Sequence, residues 1–162
     1  MAKAASQSPA GMAAVLGGDR SLVLAAIADL GLIPANDNGA GQIVAAGALD
    51  ALSKLAPEGA RVRPLAVAGA FHTSYMEPAV APLRELASGI NASTAEILVI
   101  SNKDGAIVSD GREVLNRIVN QIANPVRWDL CMQTLQAQGV TGVIDLAGGT
   151  DIGETLRDGW QI

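Results

Sequence analysis

The segment VAGAFHTSYMEP, residues 67–78, carries the single histidine of this chain. His72 follows Gly69, Ala70 and Phe71 and stands at the predicted start of a helix. Because imidazole has an ordinary pKa near neutrality, a histidine at the mouth of a helix is typical of a general base. The same residue at a helix start can instead be structural, with its ring bonded to a backbone carbonyl. The segment alone leaves both interpretations open.

A base of this kind commonly activates a serine, which in an α/β fold stands on a strand-to-helix turn of the form G-x-S-x-G. None of the serines in the sequence has that frame. One cysteine, Cys131, and one histidine are too few for a disulfide framework or a thiolate zinc site. The sequence therefore predicts a base without its nucleophile, and neither a metal nor a cofactor.

The composition is that of a folded domain, with 49% hydrophobic and 17% charged residues. Aromatic residues make up only 2%, so the core must be built from Ala, Val, Leu and Ile. Such small side chains suit helices layered closely on a sheet. The length of 162 residues favours one core rather than several domains.

Charge and hydropathy exclude several classes of partner. A net charge of −5 without a basic run predicts no nucleic-acid partner. No apolar stretch is long enough to cross a membrane, and the amino-terminal residues have no long apolar run typical of a signal peptide. We therefore expect no membrane contact and a cytoplasmic protein.

Apolar periodicity divides the chain into two blocks near residue 68. The first block, 11–67, follows the order β-α-β-β-α-β, which is typical of a ferredoxin-like unit. Asp19 or Ser21 is the predicted N-cap of its first helix, and Gly31 is the predicted stop. The predicted elements are strand 11–17, helix 19–31, strands 32–37 and 42–47, helix 48–56 and strand 60–67.

The second block, 68–162 together with 1–10, predicts part of an α/β sheet. Its helix 73–90 carries Pro78 in an early turn and Pro82 inside the pattern, where proline should kink the helix or delay its start. The remaining elements are helices 111–123 and 127–139 and two buried strands, 96–102 and 140–147, of which 96–102 reads as a central parallel strand.

Ligands of parallel sheets bind beyond the carboxyl ends of the strands, where His72 follows strand 60–67. Asn102 and Asp104, in SNKDG, follow the next strand, and Asn36 and Asn38 join them if the small unit leans over the sheet. Each has a plainer interpretation, since SNKDG reads as a tight turn and ANDNGAGQ as a hairpin loop.

Five motifs together carry a family resemblance: GMAAVLGGD, ANDNGAGQIVAAG, VAGAFHTSYMEPAV, VISNKDG and QIANPVRWDL. In this order, over residues 1–146, they resemble the malonyl-CoA:acyl carrier protein transacylases of bacterial fatty-acid synthesis. The resemblance implies a ferredoxin-like βαββαβ subdomain inserted into an α/β-hydrolase-like large subdomain. The chain is similar to the insert plus the carboxyl-terminal half of the large subdomain.

The resemblance also implies roles for individual residues. His72 matches the catalytic histidine that deprotonates first a serine and later the pantetheine thiol. Gln121 matches a glutamine whose backbone carbonyl holds the other imidazole nitrogen. Asn38, and with a weaker match Asn36, line the substrate cleft. Phe71 matches the bulky residue found in members that take malonyl rather than methylmalonyl groups.

The sequence departs from the family pattern where the nucleophile should be. It lacks the oxyanion loop, the serine elbow and the carboxylate-clamping arginine, and its tail has no basic helix. The implied function is a partial acyl-carrier-protein S-malonyltransferase, inactive alone, with malonyl-CoA, acyl carrier protein and the missing amino-terminal half as partners. We also expect apolar strands without cover. A polyketide synthase acyltransferase fragment and a non-catalytic ferredoxin-like remnant are the alternatives.

Overall fold

Alternating helices and strands form an α/β fold with a mixed sheet in the computed structural model, which describes residues 1–143. The described elements are α1 Ala2–Ala5, β1 Ala10–Gly17, α2 Arg20–Asp29, β2 Ile33–Gly39, β3 Gln42–Ala48, α3 Leu49–Leu52, β4 Ala60–Pro64, a 3₁₀ helix Ser74–Ala79, α4 Val80–Ser88, β5 Val99–Ile100, β6 Ile107–Val108, α5 Gly111–Gln121, β7 Val126–Arg127 and α6 Trp128–Ala137.

The main sheet has five strands in the order β4-β1-β3-β2-β7. Strand β1 pairs antiparallel with β3 and β4, and β3 pairs antiparallel with β2. Strand β7 adds to the edge of β2 in parallel, with Asn36 opposite Val126. The first block thus folds in the predicted order of elements, and the second block extends its sheet by one short strand.

Helix α2 covers one face of this sheet and encloses a core of small apolar side chains. Asp19 caps the helix, accepting from the N–H groups of Ser21 and Leu22 at 2.8 and 3.1 Å. Gly31, at φ +65°, lets the chain turn back toward the sheet. The core between α2 and the sheet contains Val15, Val23, Ile27, Leu32, Ile43, Ala45 and Leu55.

The opposite sheet face packs on the segment that carries His72. Buried Met12, Ala35, Val44, Ala46 and Ala70 form this second cluster. A third cluster joins α1, the 3₁₀ helix, α4 and α5, through Ala4, Ala5, Met76, Val80, Ala87, Val119 and Ala123. Both clusters share Phe71 and Tyr75, so the His72 segment lies where the two blocks meet.

Prolines explain why the predicted helix 73–90 is in two parts. The chain first makes a 3₁₀ helix that includes Pro78, and α4 begins only at Val80. Pro82 is the third residue of α4, in the first turn, where a backbone N–H has no helical partner. The expected delay of the helix start is confirmed.

Two predicted elements of the first block were too long. The helix expected at 48–56 is a single turn, Leu49–Leu52, because Pro57 and Gly59 follow too soon for the helix to continue. The strand expected at 60–67 ends at Pro64, which has no N–H for the ladder.

The prediction of a central parallel strand at 96–102 was wrong for the residues that the structure describes. Only Val99 and Ile100 form a strand, β5, and its partner β6 is antiparallel. Ile97 and Leu98 precede the strand and are 82% and 64% exposed, in line with the expected lack of apolar cover. A strand needs neighbours for its N–H and C=O groups, and among residues 1–143 only β6 supplies them here.

The last predicted strand lies mostly outside the described residues. Residues 140–143 form no strand, and 144–147 are not described. Strand β7 was missed, since two residues are too short to show a period. Within residues 1–143, no helix is long and apolar enough to cross a membrane.

Candidate active site

His72 lies between β4 and the 3₁₀ helix, in a backbone conformation that residues other than glycine rarely adopt. Its φ is +58°, in the left-handed region. For a residue other than glycine this conformation costs about 1–3 kcal/mol and persists only where surrounding contacts impose it. The contacts around His72 therefore define the candidate site.

Two backbone carbonyls at the end of α5 hold the histidine. The imidazole Nδ1 lies 2.9 Å from the Gln121 carbonyl oxygen, and the His72 N–H donates to the Ile122 carbonyl at 3.1 Å. Carbonyls in the last turn of a helix lack ordinary helical partners. Residue 125, which would donate to Gln121 in a longer helix, is a proline without an N–H. The Gln121 carbonyl instead accepts from the Asn124 N–H at 3.3 Å and lies against the imidazole ring.

This contact fixes the protonation pattern of the ring. A carbonyl oxygen only accepts, so in the neutral imidazole Nδ1 carries the proton and Nε2 keeps its lone pair. In this tautomer Nε2 is the hydrogen-bond acceptor of the ring.

The side chain of Gln121 points to different partners from its carbonyl. Its Nε2 donates to the carbonyls of Asn124 and Pro125 at 2.8 and 2.9 Å. These bonds fix the turn that leads from α5 into β7. The backbone carbonyl of Gln121 contacts the histidine, and its side chain stabilises the turn that follows α5.

Phe71 is half-buried and bridges two apolar clusters. It packs against the cluster containing Val44 and Ala46 on the sheet and against the cluster containing Met76 and Val119. The ring is therefore a packing residue adjacent in sequence to the candidate base.

Asn36 and Asn38 lie on β2, and among the described residues neither is hydrogen-bonded to His72. Asn36 pairs across the sheet with Val44, whose face packs toward Phe71. Asn38 lies at a register irregularity, and its Nδ2 donates to Gln42 Oε1 at 2.8 Å. Asn36 is thus on the sheet face nearest the histidine segment, and Asn38 is held at the β2–β3 turn.

Asn102 and Asp104 serve as structural groups. The Asn102 carbonyl accepts from the Arg127 N–H at 2.7 Å, which ties the SNKDG turn to β7. Asp104 forms a 2.7 Å ion pair with Arg117 on α5. Burial opposes the charge of Asp104, but the Ala106 N–H and Arg117 hold its pKa below the ordinary range.

A groove of about 640 Å³ opens beside Gln121 and the turn at Pro125. Its arginines are paired with carboxylates: Arg20 with Asp37 at 2.6 Å, Arg117 with Asp104 and Glu113, and Arg127 with Asp129. Lys103 also lines the groove, and among the described residues it forms no ion pair. Within the described residues, no group of three or more His, Cys, Asp or Glu side chains is placed to hold a metal ion.

Sequence reasoning missed three residues around the histidine: Thr73, Ile122 and Pro125. Thr73 could have been found, because a threonine directly before a helical segment is an N-cap signal. Ile122 acts through its backbone carbonyl, which no side-chain pattern reveals. Pro125 was noted only as an interruption between two helices.

Comparison with known proteins places this geometry in a family context. No protein-family model matches the chain. The chain is 48% identical, over 98% of its length, to the malonyl CoA-acyl carrier protein transacylase of Mycobacterium tuberculosis (strain ATCC 25618 / H37Rv), of which it covers 54%. The chain spans about half the length of the curated relatives it matches.

Solved structures give the same picture. A crystal structure of MCAT from Mycobacterium tuberculosis superposes with a TM-score of 0.93 at 44% identity, over 100% of this chain and 55% of that chain. A type II PKS acyl-carrier protein in complex with its malonyl-transacylase matches with a TM-score of 0.85 at 25% identity, over 97% of this chain and 54% of that chain. The fold described above is thus similar to about half of each of these structures.

Proposed function

We propose that this chain supplies the general base of acyl-carrier-protein S-malonyl transfer in fatty-acid biosynthesis. The proposal rests on homology, over nearly the whole chain, to about half of a malonyl CoA-acyl carrier protein transacylase. The observation that carries the proposal is the bond between His72 Nδ1 and the Gln121 carbonyl, 2.9 Å long. It leaves Nε2 as the ring's proton acceptor.

The proposed reaction has two proton transfers through Nε2. In the first, Nε2 takes the hydroxyl proton of a serine as its oxygen attacks the thioester carbonyl of malonyl-CoA, and the proton leaves with the CoA thiolate. In the second, Nε2 takes the proton of the pantetheine thiol of acyl carrier protein as its sulfur attacks the acyl-serine carbonyl, and Nε2 returns that proton to the serine oxygen as it leaves. No serine among the 162 residues stands in a G-x-S-x-G frame, so in this proposal the serine belongs to sequence outside these residues.

Phe71, Asn38 and Asn36 form the proposed substrate side of the site. Phe71 is fixed by packing beside His72, where a bulky ring would exclude the extra methyl group of methylmalonyl-CoA. One methyl group is worth about 1–3 kcal/mol of discrimination. Asn36 faces the same side of the sheet as Val44, and Asn38 lies two residues further on, toward the turn.

The proposed domain arrangement has a ferredoxin-like subdomain, 11–67, and a partial α/β-hydrolase-like subdomain, 68–162 with 1–10. The strand order β4-β1-β3-β2, with antiparallel pairing and helices on one face, supports the first assignment. The close approach of Gly69 to Ala5 supports grouping the amino-terminal residues with the second.

The proposed partners are malonyl-CoA, acyl carrier protein and the polypeptide that carries the other half of the fold. A carrier protein of polyketide synthesis is a second candidate, favoured by the similarity to a transacylase solved with a type II PKS acyl-carrier protein. Both carriers present the same pantetheine thiol, so the chemistry assigned to His72 is unchanged.

The test is a chimera in which this chain replaces the matching 54% of the Mycobacterium tuberculosis relative. We expect the chimera to transfer labelled malonyl groups from malonyl-CoA to acyl carrier protein. His72→Ala should lower kcat/KM by about 10²–10⁴-fold, the usual contribution of a general base. Lys54→Ala is the matched control, because the Lys54 side chain is exposed and forms its ion pair with Asp50 at the surface.

Two results would contradict the proposal. A chimera whose His72→Ala variant transfers malonyl groups as fast as the unaltered one would remove His72 from the mechanism. A folded chimera that binds acyl carrier protein without any transfer would favour a non-catalytic binding remnant. Intact-mass analysis of the acylated serine distinguishes a lost first step from a lost second step.

A further inference from the structure

We propose that Thr73 is a positioning residue, whose hydroxyl reinforces the turn that holds the His72 ring against the Gln121 carbonyl. The inference rests on the proposed function of His72 as the base. Thr73 itself touches neither the ring nitrogen that would take the proton nor any reacting atom, so its effect would pass through His72.

The Thr73 hydroxyl is placed deep in the core. Thr73 is 1% exposed, and its Oγ1 donates to the Ala70 carbonyl at 2.7 Å. The same oxygen accepts from the Tyr75 N–H at 3.3 Å, at the start of the 3₁₀ helix. One hydroxyl thus ties together the residue two before His72 and the residue three after it.

His72 is the third residue of the turn Ala70–Thr73, the position at which a type II β-turn takes a positive φ. In an ordinary β-turn, the N–H of the fourth residue donates to the carbonyl of the first. In the turn Ala70–Thr73 the side-chain hydroxyl of the fourth residue also donates to the carbonyl of the first. The hydroxyl therefore reinforces the turn while the His72 N–H donates to the Ile122 carbonyl.

Loss of the hydroxyl would leave the buried Ala70 carbonyl without this donor. Without that bond the positive φ of His72 would have less support from its surroundings. A return to negative φ would move the imidazole away from Gln121. The ring would then lose the bond that keeps Nδ1 protonated and Nε2 free.

The single histidine makes this inference directly measurable in the 162-residue chain. With ¹⁵N-labelled histidine, NMR should find Nδ1 protonated and Nε2 bare in the neutral ring. Thr73→Val keeps the shape and removes the hydroxyl, so both nitrogen shifts should move toward the average of two tautomers. Thr73→Ser keeps the hydroxyl and should restore the pattern of the unaltered chain.

Unchanged nitrogen shifts in a folded Thr73→Val variant would overturn the inference. If that variant does not fold, the unaltered chain still decides, because a hydroxyl bonded in the core should exchange slowly with water. A Thr73 hydroxyl proton that exchanges at the rate of an exposed one would also overturn it. Circular dichroism of each variant establishes whether it is folded.

Kinetics of the chimera separate this inference from the proposed function. Thr73→Val should lower kcat about tenfold or more, with the KM for malonyl-CoA unchanged, and Thr73→Ser should recover most of it. If His72→Ala leaves transfer intact, the proposed function fails, but the tautomer result stands. If His72→Ala abolishes transfer while Thr73→Val changes neither shifts nor kcat, only the positioning role fails.

Discussion

Strand β1 of the five-stranded sheet and residues 96–102 of the β5–β6 hairpin are both mostly apolar, but they lie in opposite environments. Strand β1 has a neighbour on each side, and its residues 11–15 are buried. Residues 96–102 read at least as strongly as a buried strand, but only two of them pair. Apolar sequence makes a strand only where neighbouring backbone is present to bond it.

The hairpin is attached to the rest of the described structure by its turn. The Gly105 carbonyl accepts from the Thr134 hydroxyl at 2.7 Å, and the Arg127 N–H donates to Asn102. Cys131 lies 3.4 Å from the Ser101 carbonyl, and Arg117 pairs with Asp104. Polar contacts to α5, β7 and α6 thus hold the hairpin in place, whereas strand pairing holds the sheet together.

Truncating one isoleucine in each region should produce the largest difference. Ile27 is 0% exposed in the core beneath α2, and Ile97 is 82% exposed before β5. Ile27→Ala should lower the free energy of unfolding by about 2–5 kcal/mol, because it leaves a cavity. Ile97→Ala should change it by about 0.5 kcal/mol or less. Urea denaturation of both variants measures the difference.

Equal losses in the two variants would break the comparison, because they would mean that Ile97 is buried in solution. Self-association is the obvious route, and it predicts that the loss at Ile97 depends on protein concentration. Sedimentation of the unaltered chain over the same concentrations would identify it.

Two glycines with similar backbone angles sharpen the comparison at the level of turns. A Cβ at Gly105 would lie 2.6 Å from the Leu130 carbonyl group of α6, whereas one at Gly31 meets no described atom within 4 Å. Both have φ between +65° and +70°, so alanine costs each about 1–2 kcal/mol from conformation alone. Gly105→Ala should cost about 1–3 kcal/mol more, from overpacking against α6.

Thermal denaturation of Gly31→Ala and Gly105→Ala gives the two costs. Similar values would show that the hairpin moves off α6 without loss, and that the turn contacts hold it weakly. A larger cost at Gly105, removed in a Thr134→Val background, would show that the two contacts act as one attachment.

Local signals predicted the sheet region well and the hairpin poorly. Asp19 and Gly31 located α2 to within two residues, because a cap and a stop act on their own backbone. The fate of 96–102 depended on which strands lie beside it, and no residue in that segment encodes this. At the candidate site, His72 was selected from its residue type, and its role stays a prediction. Its partner is a carbonyl 49 positions away, which the family resemblance supplied and residue spacing did not.

Cys131 gives the smallest effect and reports how the hairpin opens. Burial, with the nearby charges of Asp129 and Asp104, raises the pKa of its thiol from 9.0 to about 11. The unfolded chain ionises first as the pH rises, so this contribution to stability is complete below pH 9 and is lost toward pH 11. Relative to Cys131→Ala, the free energy of unfolding of the unaltered chain should fall by about 1 kcal/mol by pH 10.

Iodoacetamide labelling of Cys131 at pH 8 then distinguishes two ways in which the hairpin can open. If the hairpin lifts from α6 locally, the labelling rate should be nearly independent of low urea concentrations, since little surface is exposed. A rate that rises with urea as steeply as global unfolding would show that the turn contacts are as firm as the sheet ladder, and the contrast between the two regions would then be one of geometry and not of stability.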